Sequence, residues 1–317
     1  MNEIVTASAA ASVRARGRIR PHVYKTPLLP ARNPRGGDLF FKAENFQLTG
    51  SFKIRGAASV MTAAPLGQAL ITASSGNHGI GAARAAQSLG RELTVVLPET
   101  VIPEKLAKIR AFGVHVVLHG AQTGLAEQHA QDLARRGGGH YISPYNDALV
   151  IAGQGTIGLE LLAQAQKIDN VFIAMGGGGL IGGIGAVLKA FSPQTRVIGA
   201  SAVNSQALAV SMQAGRVMDC LHLDTLADAV AGGIDVDTLT LPLARAVVDQ
   251  VVSCTEDEIA QALRIIAREE NMLVEGAAAL AMAAYLKIAD ACVGQCNVVL
   301  LCGANFDAER IRTIALT

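Results

Sequence analysis

Short, almost unbroken apolar runs recur along the chain at Ala69–Ala73, Leu93–Leu97, Val114–Leu118, Val171–Met175, Arg196–Gly199 and Val298–Leu301. Alanine-rich stretches such as Ile80–Leu89 and Gly276–Ile288 lie between them. A strand with one wet face alternates apolar and polar residues, whereas a continuous Val/Ile/Leu run is covered on both faces. The pattern therefore predicts an α/β protein with buried parallel strands flanked by helices. Pro98, Pro103 and Gly113 punctuate one self-contained strand–helix–strand unit. Gly276–Ile288, built from Ala and Gly, reads as a buried helix that its neighbours approach closely. No run reaches the roughly 18 apolar residues of a membrane helix. Neither a repeat nor a low-complexity linker interrupts the alternation.

Composition narrows the function classes without choosing among them. A chain of 317 residues, 50% of them hydrophobic, can bury one large or two modest cores. A formal net charge of +1, no Trp and few aromatic residues give no basic face and no stacking platform, so nucleic-acid binding is not expected. Thr6–Val13 is rich in Ala and Ser and is followed rather than preceded by arginines, unlike a secretory signal. The cysteines at 220, 254, 292, 296 and 302 contain no Cys-x-x-Cys pair. Cys292 and Cys296 have the spacing to face one another on a helix, but no His clusters with them, so zinc is not expected. A reducing cytoplasm is the plain expectation.

Candidate chemistry sits at the ends of the apolar runs. Glu44 to Lys53 reads as a strand end, a turn at Gly50 and a helix opening at Ser51, which puts Lys53 in a first helical turn. An isolated lysine between Phe52 and Ile54 is most often a snorkelling side chain. A partly apolar surround also frees its amine for covalent chemistry. Ser74-Ser75-Gly76-Asn77-His78-Gly79 forms a second strand-to-helix turn, where backbone N–H groups favour a carboxylate; an ordinary Ser/Asn helix cap is the plainer alternative. Val171–Met175 runs into Gly176-Gly177-Gly178-Gly179 and a helix, a geometry in which several N–H groups converge on a phosphate. A dinucleotide site is the alternative there. Against it, the strand lies past mid-chain as the fourth or fifth, and Val197–Ala200 ends in Ser201 where an acidic residue is wanted for a ribose. No Gly-Lys-Ser/Thr follows the glycines, which excludes a P-loop. Finally, Asn297–Leu301 ends in Cys302-Gly303-Ala304-Asn305, where Cys302 taken alone is a small buried residue.

Together these segments resemble the fold type II pyridoxal phosphate enzymes, the group of serine and threonine dehydratases and serine racemase. The resemblance runs from Thr26-Pro27-Leu28 to Asn305 and includes Ala152-Gly153-Gln154-Gly155-Thr156 and Ala227-Asp228 leading to Gly232-Gly233-Ile234. It implies a tryptophan synthase beta-like architecture of two open, twisted, mostly parallel sheets flanked by helices. A small domain of residues 49–148 is then inserted in a larger one built from residues 1–48 and 149–317, with pyridoxal 5′-phosphate in the cleft between them. By the resemblance, Lys53 carries the cofactor as a Schiff base beside Phe52, Asn77 binds its 3′ oxygen, and Gly176, Gly177, Gly178 and Gly179 hold its phosphate. Cys302 approaches the pyridine nitrogen as a neutral partner, which favours β-elimination over transamination. Ser74, Ser75, Gly76, Asn77 and His78 hold the substrate carboxylate, and Ser75 is the second acid/base of the racemases.

The activity implied is deamination of L-threonine or L-serine by β-elimination in a cytoplasmic homodimer. Racemisation of serine or aspartate, elimination from 3-hydroxyaspartate or a hydroxy amino acid of compatible-solute breakdown, and cofactor binding without catalysis all remain open at this stage. Two departures from the family pattern stand out. The acidic cation ligands of serine racemases are replaced by Ser201, Asn204, Ser205, Gln206 and Ala207, so no tight divalent site is expected. Gly233 stands where racemases contact substrate, which suggests room for a larger side chain. Glu275, before the Ala-rich helix, is read as a structural helix-start carboxylate, with tuning of the site as the alternative.

Overall fold

A computed structural model describes residues 2–316, and among these the chain builds two sheets. The strands are β1 (Leu28–Pro30), β2 (Asp38–Ala43), β3 (Leu70–Ala73), β4 (Thr94–Leu97), β5 (His115–Leu118), β6 (His140–Tyr141), β7 (Asn170–Ala174), β8 (Arg196–Ala202), β9 (Gln250–Cys254) and β10 (Cys296–Leu301). The order β1-β2-β10-β7-β8-β9 makes the larger sheet, parallel except for β1. The smaller sheet, β5-β4-β3-β6, is wholly parallel. This is the architecture of fold type II. The glycine-bearing strand is the seventh in chain order, not the fourth or fifth, because short or interrupted strands near residues 28, 38 and 140 escape an apolar-run criterion.

Helices cover both sheets. In chain order the first seven are α1 (Glu3–Ile19), α2 (Lys53–Ala63), α3 (Asn77–Leu89), α4 (Pro103–Arg110), α5 (Thr123–Gly137), α6 (Ala148–Gln164) and α7 (Gly179–Phe191). After them come α8 (Ala207–Ala214), α9 (Thr240–Val247), α10 (Glu256–Glu269), α11 (Gly276–Lys287) and α12 (Ala308–Leu316). The expected buried Ala-rich helix is α11, which lies against β7, β8, β9 and β10. Helices α1, α6 and α7 pack on one another, and their glycines set the distance: a Cβ at Gly183 would lie 2.3 Å from the Ile151 carbonyl oxygen. Cys292 ends a 3-10 turn and Cys296 opens β10, so the two share no helix, contrary to the sequence reading. No described helix is long and apolar enough to cross a membrane.

A buried ionic cluster joins the N-terminal part of the chain to α2 and α6. Arg55, 0% exposed, donates to both oxygens of Glu44 (2.8 and 2.8 Å) and to both oxygens of Glu160 (2.7 and 3.0 Å). Lys42, equally buried in β2, donates to Glu160, the Thr26 carbonyl and Gln164. Burial alone would push the Glu44 carboxyl up, but the Arg55 guanidinium holds it below the ordinary value.

Candidate active site

The two sheets meet at a cavity of about 680 Å³. Phe52, Lys53, Ser74, Ser75, Gly76, Asn77, His78, Gly176–Gly179 and Cys302, each singled out in the sequence, all line it. It is also lined by residues that the sequence reading did not place in the site, among them Tyr145, Asp228 and Asn305. Gly233 is not in the wall; a Cβ there would meet nothing within 4 Å, and the same segment contributes Asp228–Val230 instead.

Lys53 is the first residue of α2, two positions beyond the expected opening at Ser51. Ser51 instead bridges to Gly303, and Phe52 N–H donates to the Cys302 carbonyl (3.1 Å), which ties the start of α2 to the end of β10. The Lys53 ammonium donates to the Pro144 carbonyl (2.8 Å) and lies 5.2 Å from the centre of the Phe52 ring. Burial lowers it to about 8, against the pull of the Glu275 carboxylate. Free amine is thus accessible near neutrality.

Two helix starts face the same cavity without side-chain caps. Helix α3 begins at Asn77, three residues earlier than the small-residue run suggests, after Gly76 at φ −103° and ψ −148°. Its first N–H groups have no intrahelical acceptor, so they are donors for an anion. His78 donates Nε2–H to the Ile142 carbonyl (3.0 Å), and burial together with Lys53 lowers it to about 3, so the ring is neutral. The Ser75 hydroxyl makes no hydrogen bond to another described residue.

At the second start, α7 follows Gly178, whose φ of 87° is the left-handed region that suits glycine. A Cβ at Gly177 would lie 2.4 Å from the Tyr145 ring. Thr240 Oγ1 donates to the Gly177 carbonyl (2.6 Å), turning that peptide's N–H edge the other way. The loop is a bare-backbone cradle framed by Tyr145 and Thr240.

Glu275 corrects the structural reading. It occupies the cap position of α11, but its side chain makes no capping bond. Instead the carboxylate accepts from Asn77 Nδ2 (2.9 Å), from the Asn305 N–H (3.2 Å) and from the Cys302 thiol (3.8 Å). Burial raises it to about 7, opposed by the Asn77 and Asn305 donors. The Cys302 thiol is raised well above its ordinary value by burial and by Glu275, so it is neutral. A carboxylate set between apolar Val274 and a glycine was the available signal, since such a group needs a partner.

An amine-bearing cavity between two open helix starts, at the meeting of two parallel sheets, defines a fold type II pyridoxal phosphate enzyme. The chain belongs to this family: the model described as "Pyridoxal-phosphate dependent enzyme" matches residues 19–303. It is 37% identical over 306 residues to the L-threonine ammonia-lyase of Geobacter sulfurreducens, covering 94% of this chain and 75% of that one. Among solved structures it resembles the processed form of threonine deaminase isoform 2 from Solanum lycopersicum, with a TM-score of 0.93, 30% identity and coverage of 100% and 88% of the two chains. Maize serine racemase is also similar, with a TM-score of 0.88, 30% identity and coverage of 96% and 95%.

The cofactor is pyridoxal phosphate, and the residues present fit it. Its phosphate needs a side-chain-free cradle, which Gly176–Gly179 at the start of α7 would suit. Its aldehyde needs an unprotonated amine, which the depressed Lys53 would offer. A neutral Cys302 in the wall would suit a ring nitrogen that is not held protonated.

Proposed function

We propose that the protein is an ammonia-lyase that converts a hydroxy amino acid, L-threonine or L-serine, to the 2-oxo acid and ammonia. The observation that carries this reading is the Lys53 amine, drawn down to about 8 in a cavity shared by two uncapped helix starts. One start suits the cofactor phosphate and the other the substrate carboxylate. We take residues 49–148, which contain the smaller sheet, as the small domain, and residues 1–48 with 149–317 as the large one. A cytoplasmic homodimer completes the reading; all five cysteines are free thiols.

Pyridoxal phosphate supplies an electron sink for the charge left when the α-proton departs. The protein's part is to bind, orient and move protons. The N–H groups at Gly176–Gly179 would hold the cofactor phosphate, and Lys53 Nζ would hold its aldehyde carbon. The N–H groups at the start of α3, with Ser74 and Ser75, take the substrate carboxylate. Lys53 Nζ, as a free amine, is the base that would remove the α-proton. The β-hydroxyl leaves as water, and hydrolysis of the resulting enamine returns that water, so the net products are one 2-oxo acid and one ammonia. Phe52 and Tyr145 line the cavity.

The test is 2-oxo acid release from L- and D-serine, L-threonine and the 3-hydroxyaspartates, with Lys53→Ala as control. Release from L-threonine or L-serine that vanishes in the control supports the reading. No release from any of them overturns it. The unpartnered Ser75 hydroxyl favours a second activity, racemisation. Chiral separation of recovered serine, with Ser75→Ala, detects it.

A further inference from the structure

Asn77 belongs to α3 beside the smaller sheet, yet its amide is held from the larger one. Nδ2 donates to both oxygens of Glu275 (3.1 and 2.9 Å), and Oδ1 accepts from Asn305 Nδ2 (2.7 Å). Asn305 Nδ2 also donates to the Thr49 carbonyl (2.7 Å), and the Asn305 backbone N–H donates to Glu275 (3.2 Å). A side-chain amide has two orientations of almost equal shape. Here a carboxylate, which when ionised only accepts, lies against one edge, and a group that donates lies against the other. Turning the amide over would set Oδ1 against the carboxylate and one NH₂ against another, so a single orientation satisfies both neighbours.

Other features indicate that the clasp is built. Glu275 is 2% exposed and gives up the capping bond open to it at the start of α11. Residue 303 is glycine, and a Cβ there would lie 2.6 Å from the Glu275 carboxylate. Gly50, on the other side, leaves room for the Asn305 amide, which a Cβ would approach to 3.1 Å. Space for both clasp residues is thus cleared by residues that have no side chain.

We propose that Glu275 and Asn305 are positioning residues: together they lock the Asn77 amide in one orientation, and so fix which of its atoms is presented to the cofactor. The inference rests on the reading that Asn77 contacts the cofactor oxygen. Neither residue needs to touch substrate. Their effect passes through Asn77, which makes it separable by a mutant cycle.

The experiment measures the dissociation constant of pyridoxal phosphate and the visible spectrum of the bound cofactor. It compares the wild-type protein, Glu275→Gln, Asn305→Ala, Asn77→Ala and the double variants that join each of the first two changes to Asn77→Ala. Each single variant is expected to weaken cofactor binding about 10-fold and to shift the absorbance of the bound cofactor. In the Asn77→Ala background, the second change should add less than about twofold. Unchanged affinity and spectrum in both Glu275→Gln and Asn305→Ala overturn the proposal, as does full additivity in the doubles. Should Glu275→Gln fail to fold, the exposed Asn305 carries the same cycle alone. No substrate enters the measurement, so an enzyme inactive on every hydroxy amino acid would refute the ammonia-lyase reading and leave this result legible.

Discussion

Lysine attacks an aldehyde only as the free amine, so covalent capture of the cofactor reports the ionisation of Lys53. Its pKa is lowered from 10.5 to about 8, chiefly by burial. At pH 7 a group of that pKa is roughly one-tenth free amine, whereas an ordinary lysine is about 0.03% free, a difference of about 300-fold. The rate at which cofactor-free protein captures pyridoxal phosphate should therefore climb about tenfold per pH unit up to about pH 8 and then level off. The cofactor also titrates in this range. A simple alkylamine of known pKa, its rate at each pH taken per free amine, removes that contribution when the observed protein rate is divided by it. Stopped-flow absorbance from about pH 6 to pH 10 gives both series. A protein rate that keeps rising tenfold per unit beyond about pH 9 would refute the claim that the site depresses Lys53, and with it the physical basis for choosing this lysine.

Two further substitutions test other parts of the arrangement. Gly177→Ala sets a methyl group 2.4 Å from the Tyr145 ring, and overpacking of this kind costs about 1–3 kcal/mol, so cofactor affinity should fall roughly 5- to 150-fold. Gly124→Ala, where a Cβ meets nothing within 4 Å, should leave it unchanged in the same titration. Arg55→Met strands the fully buried Glu44 with the Thr26 hydroxyl, and urea unfolding should show a loss of about 3–5 kcal/mol at pH 7. Because Glu44 is held below its ordinary value in the folded protein, its pairing contributes fully above that ordinary value and is lost as pH falls through the folded one. The gap between wild type and variant should therefore narrow in acid.

What was legible in the sequence follows a physical line. Continuous apolar runs disclosed β3, β4, β7, β8 and β10, because burial on both faces leaves almost no polar position to confuse the pattern, and they disclosed β5 although it is an edge strand with no buried residue. Strand β2, Asp38–Ala43, escaped because Lys42 interrupts it; that ammonium is buried by Thr26, Glu160 and Gln164, which no local pattern connects to it. The glycine loop and Lys53 were legible because each carries its own reason: absent side chains, or a charge among apolar neighbours. Glu275 was misjudged for the opposite reason. Its place before a helix offers a complete local explanation, a cap, and only Asn77, 198 positions away, shows that the carboxylate serves elsewhere.

The two polar assemblies the sequence did not disclose flank the lysine it did. On one side, Arg55, two residues after Lys53, ties α2 to Glu44 and to Glu160 in α6. On the other, the Asn77 amide ties the start of α3 to Glu275 and Asn305. Between them, Gly81 lets α3 approach α2 so closely that a Cβ would lie 2.8 Å from the Ile54 nitrogen. Apolar packing tolerates sliding, because one methyl contact replaces another at little cost, whereas a buried ion pair or a locked amide has a single satisfactory geometry. A reacting amine must meet its partner within a fraction of an ångström. Placing directional contacts on both sides of Lys53, rather than enlarging the apolar core there, is what such a tolerance demands, and it predicts that losses at Arg55 and at Glu275 will appear in different observables: global stability for the first and cofactor spectrum for the second.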